Sequence, residues 1–310
     1  MHFEGPSQRF DPLNDYLFCK LMGEKGCEIQ LLGFINAVLE KSGKGQFTSI
    51  EILEDKSFTP DRIGDKSVTF DVRAVLHGNT KVNVEVQLRN QHNMDKRSLF
   101  HWSREFSRSL HKGQDFGELP DVIAINIVNF DYLGTKDFHS CFRLRDDKEP
   151  AIILTGALEI HFINMVRYRK LKRNLGDPLY RWLTWLNKNS PPELLAEVVK
   201  MDLSILTADE KLAFLAGDED TIDYYHRRFM ALCDETSWRN YERSEGRKEG
   251  KEEGRAEGYV EGHKEGHKEG HKEGWDKALL ETAQRMKARG RSITEIAEYT
   301  GLSVDAVEGR

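Results

Sequence analysis

An α/β domain built around a mixed sheet is the fold class predicted here, followed by a helical region, a Glu-Gly tetrapeptide repeat and a small helical tail. Three observations predict it. Apolar residues recur at helical spacing near the N-terminus and again after Pro178. Two neighbouring segments alternate strictly between apolar and polar residues, and one later run of strand length is apolar throughout. Helices mixed with both kinds of strand need a sheet with helical layers against it.

In chain order, residues 13–40 place Leu17, Leu21, Leu31, Leu32, Ile35, Val38 and Leu39 at helical spacing, and Gly23 and Gly26 interrupt them. Two helices with a break between are therefore predicted. Strand character follows at 48–56, 66–77 and 81–88. In the last of these Val82, Val84, Val86 and Leu88 alternate with Lys81, Asn83, Glu85 and Gln87, which gives a half-buried strand with one polar face. Val68, Phe70 and Val72 alternate in the same sense with Thr69, Asp71 and Arg73, and His77-Gly78-Asn79-Thr80 has the turn chemistry of a hairpin. Residues 93–112 read as an amphipathic helix closed by Gly113, 119–130 as a central strand, and 142–146 and 157–165 as further strands. From Pro178 to about Arg243 the pattern is helical, with Leu179, Trp182, Leu183, Trp185 and Leu186 its densest apolar face.

Composition bounds the function. The chain has 310 residues, 46 Lys and Arg against 52 Asp and Glu, and a formal net charge of −6. That length suits about two domains, and the acidic balance excludes a polycation, so any nucleic-acid contact must come from a local basic patch. No apolar run reaches the roughly 18 residues of a membrane span, and the N-terminal stretch lacks the pattern of a secretory signal. A cytoplasmic protein with no membrane partner is expected. Cys19, Cys27, Cys141 and Cys233 are widely spaced with no CxxC pair, so reduced buried thiols are expected rather than a zinc site or a disulfide scaffold.

Register arithmetic on the hairpin singles out three side chains. An odd number of loop residues gives cross-strand partners of the same parity and puts all the valines on one side. A two-residue loop would set Asp71 opposite Val86, because a one-residue slip inverts every side chain. The odd register brings Asp71, Glu85 and Gln87 onto the polar face, the carboxylates about 5 Å apart at their Cβ atoms. Two carboxylates so close repel, and a divalent ion such as Mg²⁺ offsets the repulsion while leaving coordination sites for water and phosphate oxygens. Gln87 can orient a water or phosphate but cannot act as a base.

The spacing Asp71, thirteen residues, Glu85-Val86-Gln87 resembles the PD-(D/E)XK nuclease core, with an acid on one strand and E-x-K/Q on the next. The surroundings resemble, more narrowly, the Rpn family of recombination-promoting nucleases or transposases. The matching stretches are Asn14-Asp15-Tyr16, residues 82–87, the aromatic helix 99–110, the strand 122–130, the Glu-Gly repeat and residues 294–303. The resemblance implies a restriction-endonuclease-like core over 1–175, a helical extension over 176–243, the repeat over 244–274 and a tail over 275–310. It implies Mg²⁺-dependent endonucleolytic cleavage of double-stranded DNA (Mn²⁺ as a substitute), in recombination, mobile elements or defence. Asp71 and Glu85 would be the metal ligands, Gln87 the water-orienting residue and Asp15 the acid of the first helix, with helix N-capping as its structural alternative. The superfamily more usually has Lys where Gln87 stands, so a catalytically inactive DNA-binding or assembly protein is the alternative reading.

Candidate phosphate contacts are Arg104 and Arg108 on the aromatic helix, beside Lys96, Arg97 and Lys112, and the run Arg167, Arg169, Lys170, Lys172 and Arg173. A solvated helix start or a partner surface is the bland reading of that run. Eight glycines recur every fourth residue from Gly246 to Gly274. Each costs about 1 kcal/mol in a helix relative to Ala, so a flexible linker competes with a helix paired in a homo-oligomer. His263, His267 and His271 stand four apart, a spacing that a polar repeat supplies without any metal. The tail reads as two short helices joined at Gly301, similar to a helix-turn-helix, yet Asp305 and Glu308 on the second would repel phosphates, which favours a packing or oligomerisation cap.

Overall fold

The computed structural model describes residues 9–53 and 71–309, so Val68, Thr69 and Phe70 of the expected strand lie outside the described residues. The chain divides into two compact units, one ending at Glu235 and the other beginning at Thr236.

The first unit opens with α1 (Asp15–Met22) and α2 (Glu28–Glu40), separated at the predicted break. Asn14 is the N-cap of α1, its side-chain oxygen accepting from the Leu17 amide at 3.1 Å. Asp15 follows in the first helical turn, and its carboxylate holds Arg228, whose Nη2 lies 2.6 Å from Oδ2. A mixed six-stranded sheet comes next: β1 (Ile50–Leu53), β2 (Val72–Leu76), β3 (Thr80–Gln87), β4 (Val122–Val128), β5 (His139–Phe142) and β6 (Leu158–Asn164), in the order β1-β2-β3-β4-β6-β5. β3, β4 and β6 are mutually parallel, while β1, β2 and β5 run antiparallel to their neighbours. Every residue of β4 is buried, as its unbroken apolar run predicts for a central strand.

The β2–β3 hairpin has the odd register. Val72 pairs with Val84 and Leu76 with Thr80, leaving His77, Gly78 and Asn79 as the loop. Gly78 (φ 84°) and Asn79 (φ 65°) take the left-handed conformations that this tight reversal needs. Val82, Val84 and Val86 then join Val72, Ala74 and Leu76 in one core with Ile123, Ile125 and Ile127. α1, α2 and the helices α4 (Met165–Tyr168), α5 (Pro178–Leu186), α6 (Pro192–Met201) and α7 (Leu203–Leu215) contribute to the same core. Its largest side chains are Trp182 and Trp185, both fully buried, and Trp182 is edge-on to both Phe34 and Trp185. α2 and α7 approach so closely that a Cβ on Gly33 would lie 2.1 Å from the Ser204 Oγ, which leaves room for glycine alone.

α3 (Met94–Arg108) covers the opposite face and ends before the Gly113 stop that the sequence suggests. The polar face of β3 is consequently buried rather than half-exposed: Asn83 and Glu85 are 5% and 2% accessible. The strand expected at 142–146 is corrected. β5 stops at Phe142, and beyond it Arg145 makes only an isolated bridge to Ile153. There the chain folds back on itself, Leu154 N donating to Leu144 O, so the alternating residues Phe142 and Leu144 stand exposed.

α8 (Glu219–Ala288) contains the unit boundary and runs through the whole Glu-Gly repeat as helix. In the second unit α9 (Ile293–Thr300) and α10 (Val304–Glu308) are the two helices of the tail. Ser292 and Glu295 close a capping box on α9, and Ala283, Ile296 and Val307 form a small core with Met286 and Leu302. No described helix is long and apolar enough to cross a membrane.

Candidate active site

The hairpin register and α3 together build the site. Asp71 lies one residue before β2, in line with Glu85 across the ladder. The third member is His101 of α3: the ligand atoms of Asp71, Glu85 and His101 all lie within 4.8 Å of one another. His101 Nδ1 is 3.1 Å from Asp71 Oδ2, and Arg97 Nε donates to Glu85 Oε1 at 2.6 Å. One turn further, Glu105 meets Arg73 of β2 at 3.5 Å. Arg97, His101 and Glu105 are spaced four apart, so they form one stripe of α3, and each meets a residue of the polar sheet face.

Burial makes this arrangement costly. Two carboxylates about 4 Å apart repel by on the order of 4 kcal/mol at an effective dielectric near 20. Burial and the neighbouring Asp71 push the Glu85 carboxyl above its ordinary range, against the pull of Arg97 and His101. One guanidinium serves only part of the pair. Asp71 Oδ1 and Glu85 Oε2 are buried with no hydrogen-bond partner among the described residues. Unsatisfied anionic oxygens from two buried carboxylates, beside an imidazole nitrogen, are the donor set a hard divalent ion takes. The residues present fit such an ion.

The other sequence candidates fall elsewhere. Gln87 is on the same face as Glu85, and its Nε2 donates to the Arg89 carbonyl at 3.2 Å. Asp15 is not in the Asp71–Glu85–His101 cluster; its carboxylate is engaged with Arg228. Arg104 is half-buried on α3, whereas Arg108 is exposed. In the basic run, Arg167 pairs with Asp131 at 2.7 Å, Arg169 donates to Asn129 Oδ1 at 2.7 Å and Arg173 pairs with Glu197. Lys170 and Lys172 are exposed. The run follows the C-terminal end of β6, and Asn129, which Arg169 holds, donates its backbone N–H to Gln87 O. These cations therefore stand at the end of the parallel strands where β3 carries Gln87.

The sequence motifs single out neither His101 nor the pairing of Arg97 with Glu85, and by themselves they set the cations of this helix facing a ligand. The signal was available in the stripe: a helix that covers a polar sheet face must present polar groups inward, at the spacing of Arg97, His101 and Glu105.

A second cluster, Cys141, Glu159 and His161, lies on the other face of the sheet, toward Ile163 and the main core. Glu159 Oε1 accepts from His161 Nε2 and Arg143 Nη2, each at 2.9 Å, and from Ser42 Oγ at 3.1 Å, while Lys44 Nζ sits 2.8 Å from Oε2. Burial would raise this carboxyl, but the hydrogen bonds from His161, Lys44 and Arg143 outweigh it and hold it well below the ordinary range. Two cations already neutralise Glu159, so the cluster clasps the chain after α2 to the sheet edge. His139 stacks on His161 and is pushed down to about 4 by burial and by that neighbour. The unfolded chain takes up a proton below about pH 6.5 and the folded one only near 4, so stability falls as pH falls through that window. The raised Glu85 acts in the opposite sense, costing stability as pH rises through its folded value. The urea midpoint of the wild type is expected to drop between pH 6.5 and 4.5, and His139→Gln to flatten that drop; equal slopes would exclude His139 as its source.

The family model described as PD-(D/E)XK nuclease family transposase matches residues 12–242, about three quarters of the chain. No curated protein and no solved structure matches.

Proposed function

We propose, from the premise that this chain belongs to the PD-(D/E)XK nuclease family transposases, that it is a divalent-metal-dependent endonuclease hydrolysing phosphodiester bonds of double-stranded DNA. The observation that carries this reading is the pair of buried oxygens on Asp71 and Glu85 that have no hydrogen-bond partner among the described residues. Mg²⁺ or Mn²⁺ held by these two residues would polarise a phosphoryl oxygen and favour a hydroxide nucleophile. Asp71 and Glu85 fix the position of the ion through the hairpin register, and His101 holds Asp71 from the side of α3. Gln87, two residues beyond Glu85, orients water or phosphate once its amide leaves the Arg89 carbonyl. Lys170 and Lys172, with Arg108 and the half-buried Arg104, are the cations best placed to neutralise DNA phosphates, because Arg167, Arg169 and Arg173 hold partners within the fold. Asp15 acts by anchoring α1 to Arg228.

Self-association is proposed through the second unit. Among the described residues, nothing beyond the neighbouring backbone of the helix itself lies within 4 Å of where a Cβ would be on any repeat glycine from Gly246 to Gly274, and Tyr259, Val260 and Trp275 are exposed beside them. A helix weakened by eight glycines needs a partner, and a second copy supplies one that cutting both strands of a duplex also requires. Association with recombination, mobile elements or defence is the role this reading suggests.

A second reading, a DNA-binding or assembly protein without turnover, has one observation in its favour: Gln87 replaces the usual Lys and its amide is turned back onto the chain. Supercoiled plasmid incubated with the purified protein in Mg²⁺, Mn²⁺ or EDTA separates the two. Nicked and linear product in either metal but not in EDTA is expected. DNA retention in EDTA with intact plasmid under all three conditions would establish the second reading.

A further inference from the structure

We infer that Arg97 stands in for the divalent cation in the metal-free protein and passes to a substrate phosphate when the ion enters. Loading of the metal and binding of DNA are thereby coupled. The inference rests on the metal reading above and adds to it a residue that controls when the site is filled.

The geometry points to Arg97 in three ways. Its Nε is 2.6 Å from Glu85 Oε1, one oxygen of a carboxylate of the cluster, so the side chain and an ion compete for the same negative charge. That single nitrogen makes the only side-chain bond of Arg97 among the described residues, which leaves the terminal donors of the guanidinium uncommitted. A guanidinium carries five donors arranged to grip two oxygens of a phosphate. The side chain is also 20% accessible, whereas Glu85 beneath it is 3% accessible, so Arg97 has a way outward that the carboxylate lacks.

Charge decides the order of events. Arg73 and Glu105 cancel each other at the edge of the site. Leaving the imidazole aside, Asp71, Glu85 and Arg97 carry one net negative charge. A divalent ion turns this into one net positive charge in a buried place, with the guanidinium displaced from its counter-ion. A phosphodiester brings the missing negative charge and gives the guanidinium a new acceptor. Metal without phosphate, or phosphate without metal, leaves charge unbalanced, which is costly in a desolvated site. The two ligands therefore assist each other, and by linkage the assistance is reciprocal.

The test measures Mn²⁺ binding to the full chain by electron paramagnetic resonance, with and without a short DNA duplex carrying phosphorothioate linkages. The wild type is expected to bind Mn²⁺ at least about tenfold more tightly when the duplex is present, within the usual range of coupling between sites. Arg97→Gln, relieved of the competing cation, is expected to bind Mn²⁺ about tenfold more tightly than the wild type without DNA and to gain little from the duplex. Arg97→Lys keeps the charge but not the fork of donors, so it is expected to match the wild type in Mn²⁺ affinity without DNA and to gain less from the duplex, and it guards against a folding defect in the first variant. Mn²⁺ binding that Asp71→Asn removes, but that Arg97→Gln leaves unchanged in strength and in coupling, would overturn the role of Arg97 and spare the metal site. Absence of any Mn²⁺ binding that depends on Asp71, in the wild type and in Arg97→Gln alike, would overturn both.

Discussion

Replacing Asp71 by Asn, or Glu85 by Gln, is expected to lower metal-dependent nicking of plasmid DNA by about a thousandfold or more. The amides keep the size of the side chains but remove the charge that would hold the ion, and the electrostatic stabilisation of a phosphoryl transition state goes with it. Stability should respond differently. Asp71→Asn removes a like charge from beside Glu85, whose carboxyl that charge helps to raise, so the melting temperature should hold or rise slightly. Loss of cleavage with an unchanged melting curve therefore marks a chemical role. Initial nicking rates over a Mn²⁺ series are the measurement, and rates within a few-fold of the wild type for both variants would remove these residues from the mechanism.

Trp182→Ala should produce the largest loss of stability. Trp182 is fully buried and sits edge-on to Phe34 of α2 and to Trp185 of its own helix. Gly33, which lets α2 approach α7, lies against the same indole, with its would-be Cβ 3.5 Å from Trp182 Cζ2. Truncation opens a cavity where three helices meet, and large-to-small changes of this kind cost about 3–5 kcal/mol. A urea titration of the full chain should show a lower midpoint with an unchanged slope. Because this core lies behind the valine face and the carboxylates on the opposite face, Mn²⁺ affinity of the folded fraction should be preserved. A midpoint within the error of the wild type would show that the core closes around the gap.

The two faces of β3 show what can be read without coordinates. Alternation of Val82, Val84 and Val86 with Asn83, Glu85 and Gln87 is a local property of the backbone pleat. With a loop of odd length it leaves one register that buries the valines, and that register is the one observed, Val72 opposite Val84. The placement of Asp71 beside Glu85 follows from it. The break between α1 and α2, the buried run of β4 and the two tail helices were legible for the same reason, since periodicity and turn residues act within a few positions of each other. Phe142 and Leu144 alternate just as well, yet their segment leaves the sheet and turns back on itself. Alternation describes a strand's two faces and is silent on whether a neighbour is there to pair with it.

The sequence by itself thus determined the sheet register, and with it the meeting of two carboxylates, because side-chain period and hydrophobic burial are short-range constraints. Only the tertiary structure decided what covers them. α3 lies on the polar face with Arg97 on Glu85 and His101 on Asp71, while Asp15 is held by Arg228 more than two hundred positions away. The cations of the basic run are likewise divided by the fold into those with internal partners and those facing solvent. Such pairings depend on which elements pack together, and the Coulomb energy between two side chains depends on their distance in space and their burial, not on their separation along the chain.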